Sequence, residues 1–507
     1  MLRMLGVDGL DRSGRPLAAS LAERYCGSDA GRLARGVLLP FVVAMLEYDA
    51  PARELALDIA ARAIDLGLEA ELLERPDRLA AAEKRAAQLL GAALARFDAN
   101  RTAAREMRDV LGQPGEPWLG VALQATEVTA AAAEARALVA DGADVLQVRV
   151  PISWEFAEAR RHAGLDTPGA FELETPARGK QVRRGDHGRR AASSRPATHQ
   201  AAHTTPAGSQ RGLAALRKAV DEAAAQRRCY ASMMTVTSAF AAPEQAVVAA
   251  FERIDLVAAD PIREIVEDNL DPERALADHA FAHRLQARAG CRVVVGAGPL
   301  ALGADLASGI PADAATRAGR ALALQVLGVE LALADGLPAD RLMLGAVPAW
   351  AGGEGDAGSI FLGAWLRRVV FADQRLIVDG LAGWPDSPGE AASIASALTG
   401  AAASIVLAPR VPGSVSVVAK DLEAAAKTAR ALRGALSDGN LHGDAAELAG
   451  RIVATADAVL VKLAAEGWGS LLGPAGRGVD GERLGGSAIV ERASGPTSGA
   501  RLLGDLV

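Results

Sequence analysis

Cysteine is scarce: Cys26, Cys229 and Cys291 are the only three in 507 residues, widely separated and without a Cys-x-x-Cys pair. They read as reduced thiols used for packing rather than as a nucleophile or metal ligands. Aromatic residues make up only 4%, while Gly and Ala abound, a profile suited to helices packed tightly on parallel strands. No apolar run is long enough to span a bilayer. The longest, residues 36–46, contains Pro40 and falls short of the roughly 18–20 residues required. The N-terminus lacks the charged region, apolar stretch and small-residue cleavage site of a secretory signal. Together these absences predict a cytoplasmic protein that does not enter a membrane. The net charge of −7 is too mildly acidic to point to a nucleic-acid partner.

Lysine is scarce as well. Only Lys84, Lys180, Lys218, Lys420, Lys427 and Lys462 are present, so any Schiff-base chemistry has few candidates. Lys420, following Val415-Ser-Val-Val, is the one with the setting of a strand end, and it reads equally as the opening of a helix.

What is there is organised in three parts. Residues 1–112 are rich in Ala, Leu, Arg and Glu at helical spacing, with helices expected over 52–66, opened by Pro51, and over 78–97. From Trp118 the texture changes to short apolar runs alternating with helices. The expected strands are 119–123, 145–150, 230–236, 254–258, 292–295, 342–346, 376–379 and 404–407. The expected helices are 128–140, 213–226, 244–252, 273–289, 314–334, 359–371, 389–398 and 422–436. Eight strands alternating with eight helices predict a (β/α)8 TIM barrel over 113–440, with an N-terminal helical extension and a loop and helix tail over 441–507. A doubly wound open sheet uses the same alternation, because the sequence does not give strand order.

One stretch breaks the pattern. Residues 178–211 carry eight Lys/Arg against the single acid Asp186, and hold His187, His199 and His203. Without apolar periodicity, the stretch reads as a solvated basic insert after the second strand; a basic arm, a His-rich metal tract and a frame-shifted relic are the other readings.

Barrel chemistry sits at the carboxyl ends of the strands. The residues there are Gln124 and Thr126, Arg149 and Ser153, Thr237 and Ser238, Asp260, the Gly296–Gly298 turn, Asp379 and Arg410. Arg149 and Ser238 combine a guanidinium fork with a hydroxyl, which suits a phosphoryl dianion; a salt bridge to a neighbouring loop is the alternative use of Arg149. The run Val293-Val-Val-Gly296-Ala-Gly298-Pro lacks the third glycine of a dinucleotide loop, and Gly476-Arg-Gly478-Val-Asp-Gly481 fits that spacing without a strand ahead of it. His279 and His283, four residues apart beside Asp278, have metal-ligand spacing. They fall on an expected outer helix and are read as a surface pair.

The segment Gly142-Ala-Asp-Val-Leu-Gln-Val-Arg149 carries a further signal. With Leu5-Gly-Val-Asp-Gly-Leu-Asp11, Ser238 to Pro243-Glu244, Phe251-Glu-Arg-Ile-Asp-Leu to Asp260, Arg274, Asp278, Phe281, Leu337 to Gly345 and Gly476 to Gly481, it forms a co-linear set. That set resembles the alpha (large) subunit of lysine 5,6-aminomutase and related ornithine aminomutases. The resemblance implies a TIM barrel that works with pyridoxal 5'-phosphate and adenosylcobalamin. It also implies a small (beta) partner subunit supplying both a cobalamin-binding Asp-x-His-x-x-Gly motif and the lysine that links to the pyridoxal cofactor. This chain contains no such motif. The implied reaction is a radical 1,2-amino shift on lysine, β-lysine or a related basic amino acid. Arg149 and Ser238 match the family's phosphate-holding positions, Ser153 lies one residue from another, and Asp260 falls at the same mouth. Family members begin upstream of the equivalent of Leu2, so a longer natural N-terminus is expected. Departures are also present: Arg263 stands where the family has a ring-stacking tyrosine, Asp268 replaces an arginine, Gly298 falls in a turn that is acidic in the family, and Ala346 replaces a histidine. These departures keep a second reading open, a catalytically silent barrel or scaffold subunit; an unrelated barrel lyase using Lys420 is a third.

Overall fold

The computed structural model describes residues 2–7, 17–26, 36–115, 118–125, 127–148, 210–236, 242–259, 261–266, 272–295, 314–344, 375–378, 404–407 and 444–467, with residues 11, 32, 366, 370 and 371. Eight parallel strands close into a barrel in sequence order: β1 (Trp118–Ala122), β2 (Val145–Gln147), β3 (Ser232–Val236), β4 (Leu256–Ala258), β5 (Arg292–Val295), β6 (Leu342–Leu344), β7 (Arg375–Val378) and β8 (Ser404–Leu407). Closure is made by β1 pairing with β8, Leu119 opposite Val406. The TIM-barrel expectation holds, and the open doubly wound alternative does not.

Alternation along each strand separates two apolar layers. Trp118, Val145, Met234, Leu256, Ala258, Val294 and Met343 form one buried cluster that fills the barrel. Their neighbours Leu119, Leu146, Met233, Val257, Val293 and Leu342 belong to the larger cluster between the strands and the surrounding helices. The floor of the barrel is closed by Trp118, with the Arg292 guanidinium 5.1 Å from its ring centre.

The helices are α1 (Leu17–Cys26), α2 (Leu38–Tyr48), α3 (Ala52–Ala60), α4 (Leu66–Glu71), α5 (Pro76–Leu111), α6 (Val128–Ala140), α7 (Gln210–Arg227), α8 (Ala242–Phe251), α9 (Pro261–Val266), α10 (Pro272–Ala289), α11 (Ala314–Ala334) and α12 (Asp444–Glu466). The expected barrel helices 128–140 and 314–334 match α6 and α11 end to end. The single helix expected over 52–66 is two. Arg62 adopts a left-handed φ of 65° that ends α3, and the Asp65 carboxylate then accepts the Gly67 N–H at 2.8 Å to start α4. The helix expected over 78–97 extends through Leu111. Beyond Phe97 its only fully buried side chain is Ala104, so no apolar stripe advertises the extension. Helix α7 opens at Gln210, inside the basic insert as bounded above. The expected helices 359–371, 389–398 and 422–436 lie largely or wholly outside the described residues. No described helix is long and apolar enough to cross a membrane.

The N-terminal helices and the barrel share one apolar cluster. Phe41, Leu55, Leu90 and Phe97 join Val247 and Phe251 of α8 and Leu285 of α10, and Phe97 meets Phe251 edge to face at 4.7 Å. Polar contacts reinforce this seam. Asn100 Nδ2 donates to the carbonyls of Ala250 and Phe251 at 3.0 and 2.8 Å, satisfying the end of α8. Arg3 Nε donates to Glu244 Oε1 at 2.6 Å.

Five of the turns that lead from a helix into a strand close in the same way. Gly142, Arg228, Arg253, Gly290 and Gly336 each have positive φ, and the next residue donates back to a carbonyl five positions earlier. Examples are Ala143 N to Leu138 O at 2.9 Å and Leu337 N to Ala332 O at 3.0 Å. This is the Schellman closure, for which a glycine is the relaxed residue; two of the five positions carry arginine instead.

Candidate functional site

The described residues contain two polar assemblies and the strands that lead to the barrel mouth. At the amino-terminal floor, Asp255 precedes β4 and is buried. Its Oδ1 accepts from Arg108 Nη2 and Tyr230 Oη, both at 2.6 Å, and its Oδ2 accepts from Arg217 Nη1 at 3.1 Å and from Met233 N at 3.0 Å. Burial pushes this carboxyl upward, but the Arg217 and Arg108 charges override it and hold Asp255 below the usual carboxylate range. Arg217 also binds Asp221, which pairs with Arg253. Burial raises Tyr230 above its ordinary value, the Asp255 charge adds to this, and the phenol stays protonated.

Asp144 repeats the device ahead of β2. Leu119 N donates to Asp144 Oδ2 at 2.9 Å, and Arg227 binds the other oxygen. In both cases the aspartate backbone N–H returns the bond, Asp144 to Leu119 O and Asp255 to Met233 O. The floor pocket, lined by Arg108, Tyr230, Asp255, Arg292 and Arg341 among others, is about 10 Å³, room for one water. Its groups are consumed by one another, and it lies at the stability end of a barrel. The sequence reading missed it; Asp144 and Asp255, each one residue ahead of an apolar strand, were its visible signal.

His279 and His283 are 1% and 0% exposed, which corrects the surface reading. Their rings are 5.8 Å apart, and His283 Nδ1 lies 2.8 Å from Asp335 Oδ2. They occupy the stripe of α10 that also buries Ala282 and Gln286; polar residues on a buried stripe erase the apolar signal that marks it. Burial lowers His283, the Asp335 hydrogen bond opposes this, and His279 adds to the lowering. Among the described residues no group of three His, Cys, Asp or Glu is placed to hold a metal ion.

At the mouth, Arg149, Ser153, Ser238 and Asp260 lie outside the described residues, as do Lys420, Asp268, Gly298, Ala346 and the Gly476–Gly481 run. The strands that lead to them are described. β2, β3 and β4 are consecutive neighbours, ending at Gln147, Val236 and Ala258, and Arg149, Ser238 and Asp260 each follow two positions later. Gln124 is turned back on its own strand, its Nε2 donating to Ala122 O at 3.3 Å, while the Glu134 carboxylate accepts from Gln124 N and Ala125 N. Lys84, Lys218 and Lys462 are exposed on α5, α7 and α12, away from the barrel interior. Cys291 is buried, its Sγ 3.1 Å from Ile254 O, and burial pushes its thiol up to about 12, which fits packing and not nucleophilic use.

A family model described as the D-lysine 5,6-aminomutase TIM-barrel domain of the alpha subunit matches residues 1–151 and 196–351, more than half of the chain. The interruption falls at the start of the basic insert and in the segment ahead of it. The chain is also 24% identical over 344 residues to a lysine 5,6-aminomutase alpha subunit of Fusobacterium nucleatum subsp. nucleatum, covering 68% of this chain and 57% of that protein. The match therefore spans little more than half the length of that relative. Among solved structures, two of Yersinia pestis dihydropteroate synthase align at 16% and 14% identity with TM-scores of 0.31, covering 62% and 63% of this chain and 94% and 93% of theirs. With the closed eight-stranded barrel and the matched segments running from the N-terminal helices through β6, the chain belongs to the family of the lysine 5,6-aminomutase alpha-subunit TIM-barrel domain.

Proposed function

We propose that this chain is the large subunit of an aminomutase that uses pyridoxal 5'-phosphate and adenosylcobalamin, acting in the cytoplasm with a cobalamin-binding small subunit. The reaction is a radical 1,2-amino shift on lysine, β-lysine or a related basic amino acid. One observation carries the reading: three adjacent parallel strands lead, at the same two-residue offset, to an arginine, a serine and an aspartate.

The fit to the phosphorylated cofactor rests on donor chemistry. The guanidinium of Arg149 and the hydroxyls of Ser238 and Ser153 are what a phosphate dianion calls for. A carboxylate such as Asp260 suits the ring nitrogen of a pyridinium. Positions 149, 238 and 260 share the parity of Val145, Met234 and Ala258, which fill the barrel interior. The last described wall residues, Gln147, Val236 and Ala258, bring no negative charge against a phosphate. When bound, the two cofactors supply the radical and electron-sink chemistry; the chain's part is to hold the phosphate, orient the ring and exclude water. The described lysines are exposed on helices, consistent with the linking lysine coming from the partner. No residue of this chain is assigned to the cobalamin.

A second reading is favoured by a specific observation. Arg263, where the family has a stacking tyrosine, falls in α9 directly after Asp260. With Asp268, Gly298 and Ala346, it marks a chain that keeps the barrel and has lost part of the site, as a catalytically silent subunit would.

Titrating the purified chain with pyridoxal 5'-phosphate, alone and mixed with a cobalamin-binding small subunit, separates the two. A working large subunit binds saturably and shows the absorbance of a lysine-linked cofactor only with the partner present. A silent one shows neither change.

A further inference from the structure

The last inward-facing residues of β1 to β4 are Ala122, Gln147, Val236 and Ala258. They share the parity of Trp118, Val145, Met234 and Leu256, which fill the barrel. Gln147 is the polar one of the four. The strand registers set it between Ala122 of β1 and Met234 of β3, so one of its flanks is a bare methyl group. Its backbone carbonyl accepts from Leu123 N at 3.0 Å. Its half-buried side chain makes no hydrogen bond to a described residue. Val236, although it faces inward, is 43% exposed, so the barrel interior opens to solvent at this end.

The fold makes no use of this carboxamide. A methionine or leucine would continue the apolar wall of Val145, Met234 and Ala258, and would not have to give up hydrogen bonds to water. Ligand sites have the opposite need: walls that are mostly apolar, with a small number of polar groups that fix the ligand's orientation. A carboxamide both donates and accepts and carries no charge. Its match is therefore an uncharged hydrogen-bonding substituent, and it is a poor match for a phosphate dianion.

We infer that Gln147 is a specificity-determining residue that contacts the ligand, hydrogen-bonding a polar substituent on the ring of a phosphorylated aromatic cofactor. Its place inside β2, on the floor side of the strand end, gives it the end of the ligand that enters the barrel. The inference rests on the reading of this mouth as a pyridoxal 5'-phosphate site, and adds to it a contact to the ring that is separate from the phosphate.

The test uses the full chain, wild type and Gln147→Met, with pyridoxal 5'-phosphate as ligand and inorganic phosphate as competitor. Methionine keeps the volume and removes a group the fold does not use, so the thermal midpoint without ligand falls by no more than about 2 °C. Affinity for pyridoxal 5'-phosphate drops roughly three- to tenfold, the worth of one neutral hydrogen bond. The inhibition constant of inorganic phosphate, which has no ring, is unchanged. Gln147→Glu, which keeps the shape but brings a carboxylate toward an anionic ligand, weakens binding at least as much. A structural role gives a lower midpoint with unchanged affinity, and that result overturns the inference. Equal losses for pyridoxal 5'-phosphate and inorganic phosphate overturn the assignment to the ring. If wild type binds and Arg149→Ala weakens binding while Gln147→Met does not, this inference alone falls. If wild type does not bind, the reading of the mouth falls and takes this inference with it.

Discussion

Arg217 Nη1 donates to Asp255 Oδ2 at 3.1 Å in the floor of the barrel, with both side chains buried, 3% and 5% exposed. The pair joins α7 to the start of β4, and through Arg108 it reaches α5 of the N-terminal layer. Removing one charge from such a pair strands the others away from water. Asp255→Asn is therefore expected to cost about 3–5 kcal/mol of stability, measured by urea denaturation. A loss below about 1 kcal/mol contradicts the assigned network.

The helix α12 is expected to depend on a glycine. A Cβ on Gly319 of α11 would meet the Thr455 side chain, and would lie 2.7 Å from Ile452 O. Gly319→Ala overpacks this crossing and should lower stability by about 1–3 kcal/mol. An unchanged thermal midpoint would show that α12 does not pack there.

Arg228 closes α7 with φ of 57°, in a turn whose counterparts at 142, 290 and 336 are glycine. Arg228→Gly relieves the left-handed strain, offset in part by greater freedom of the unfolded chain. The expected gain is about 0.5–1 kcal/mol, read as a higher thermal midpoint. Arg253, with the same backbone shape, binds Asp221, so Arg253→Gly should not stabilise.

Much of the barrel was legible because its chemistry is local. The runs 292–295 and 404–407 coincide with β5 and β8, and the other six strands lie within or one residue outside the expected runs. Short apolar segments bounded by Gly and Pro need little tertiary help to be recognised. The Asp-Gly pairs at 141–142 and 335–336 announced two of the helix endings. Arg62, Arg228 and Arg253 did not, because arginine carries no signal for left-handed backbone. The last turns of α5 were illegible for another reason. Asn100, Arg101 and Arg108 hold them to the barrel through polar contacts, which leave no periodic pattern. The mouth could be named from sequence as strand-end positions, but the burial of Gln245 in α8 could not, since burial of an amide depends on what packs over it.

His283 gives a pH dependence of definite sign. Burial lowers it below the ordinary imidazole value, so the unfolded chain takes up this proton at higher pH than the folded one. Its contribution to stability is complete above the unfolded value, about 6.5, and is lost as pH falls below it, by at most about 1.4 kcal/mol per pH unit. His283→Gln retains a donor toward Asp335 and does not titrate. Its stability should fall less steeply than wild type between about pH 7 and 5, measured by denaturation at each pH; identical slopes refute the assignment.

The proposed pyridoxal 5'-phosphate site depends on Arg149 as its phosphate-holding residue. The direct measurement is the equilibrium affinity of the chain for pyridoxal 5'-phosphate in wild type and Arg149→Ala. Loss of a hydrogen bond to a charged group should weaken binding by about 1.5–3 kcal/mol, roughly tenfold to a hundredfold. Equal affinity of the two proteins, or no binding by wild type, contradicts the site.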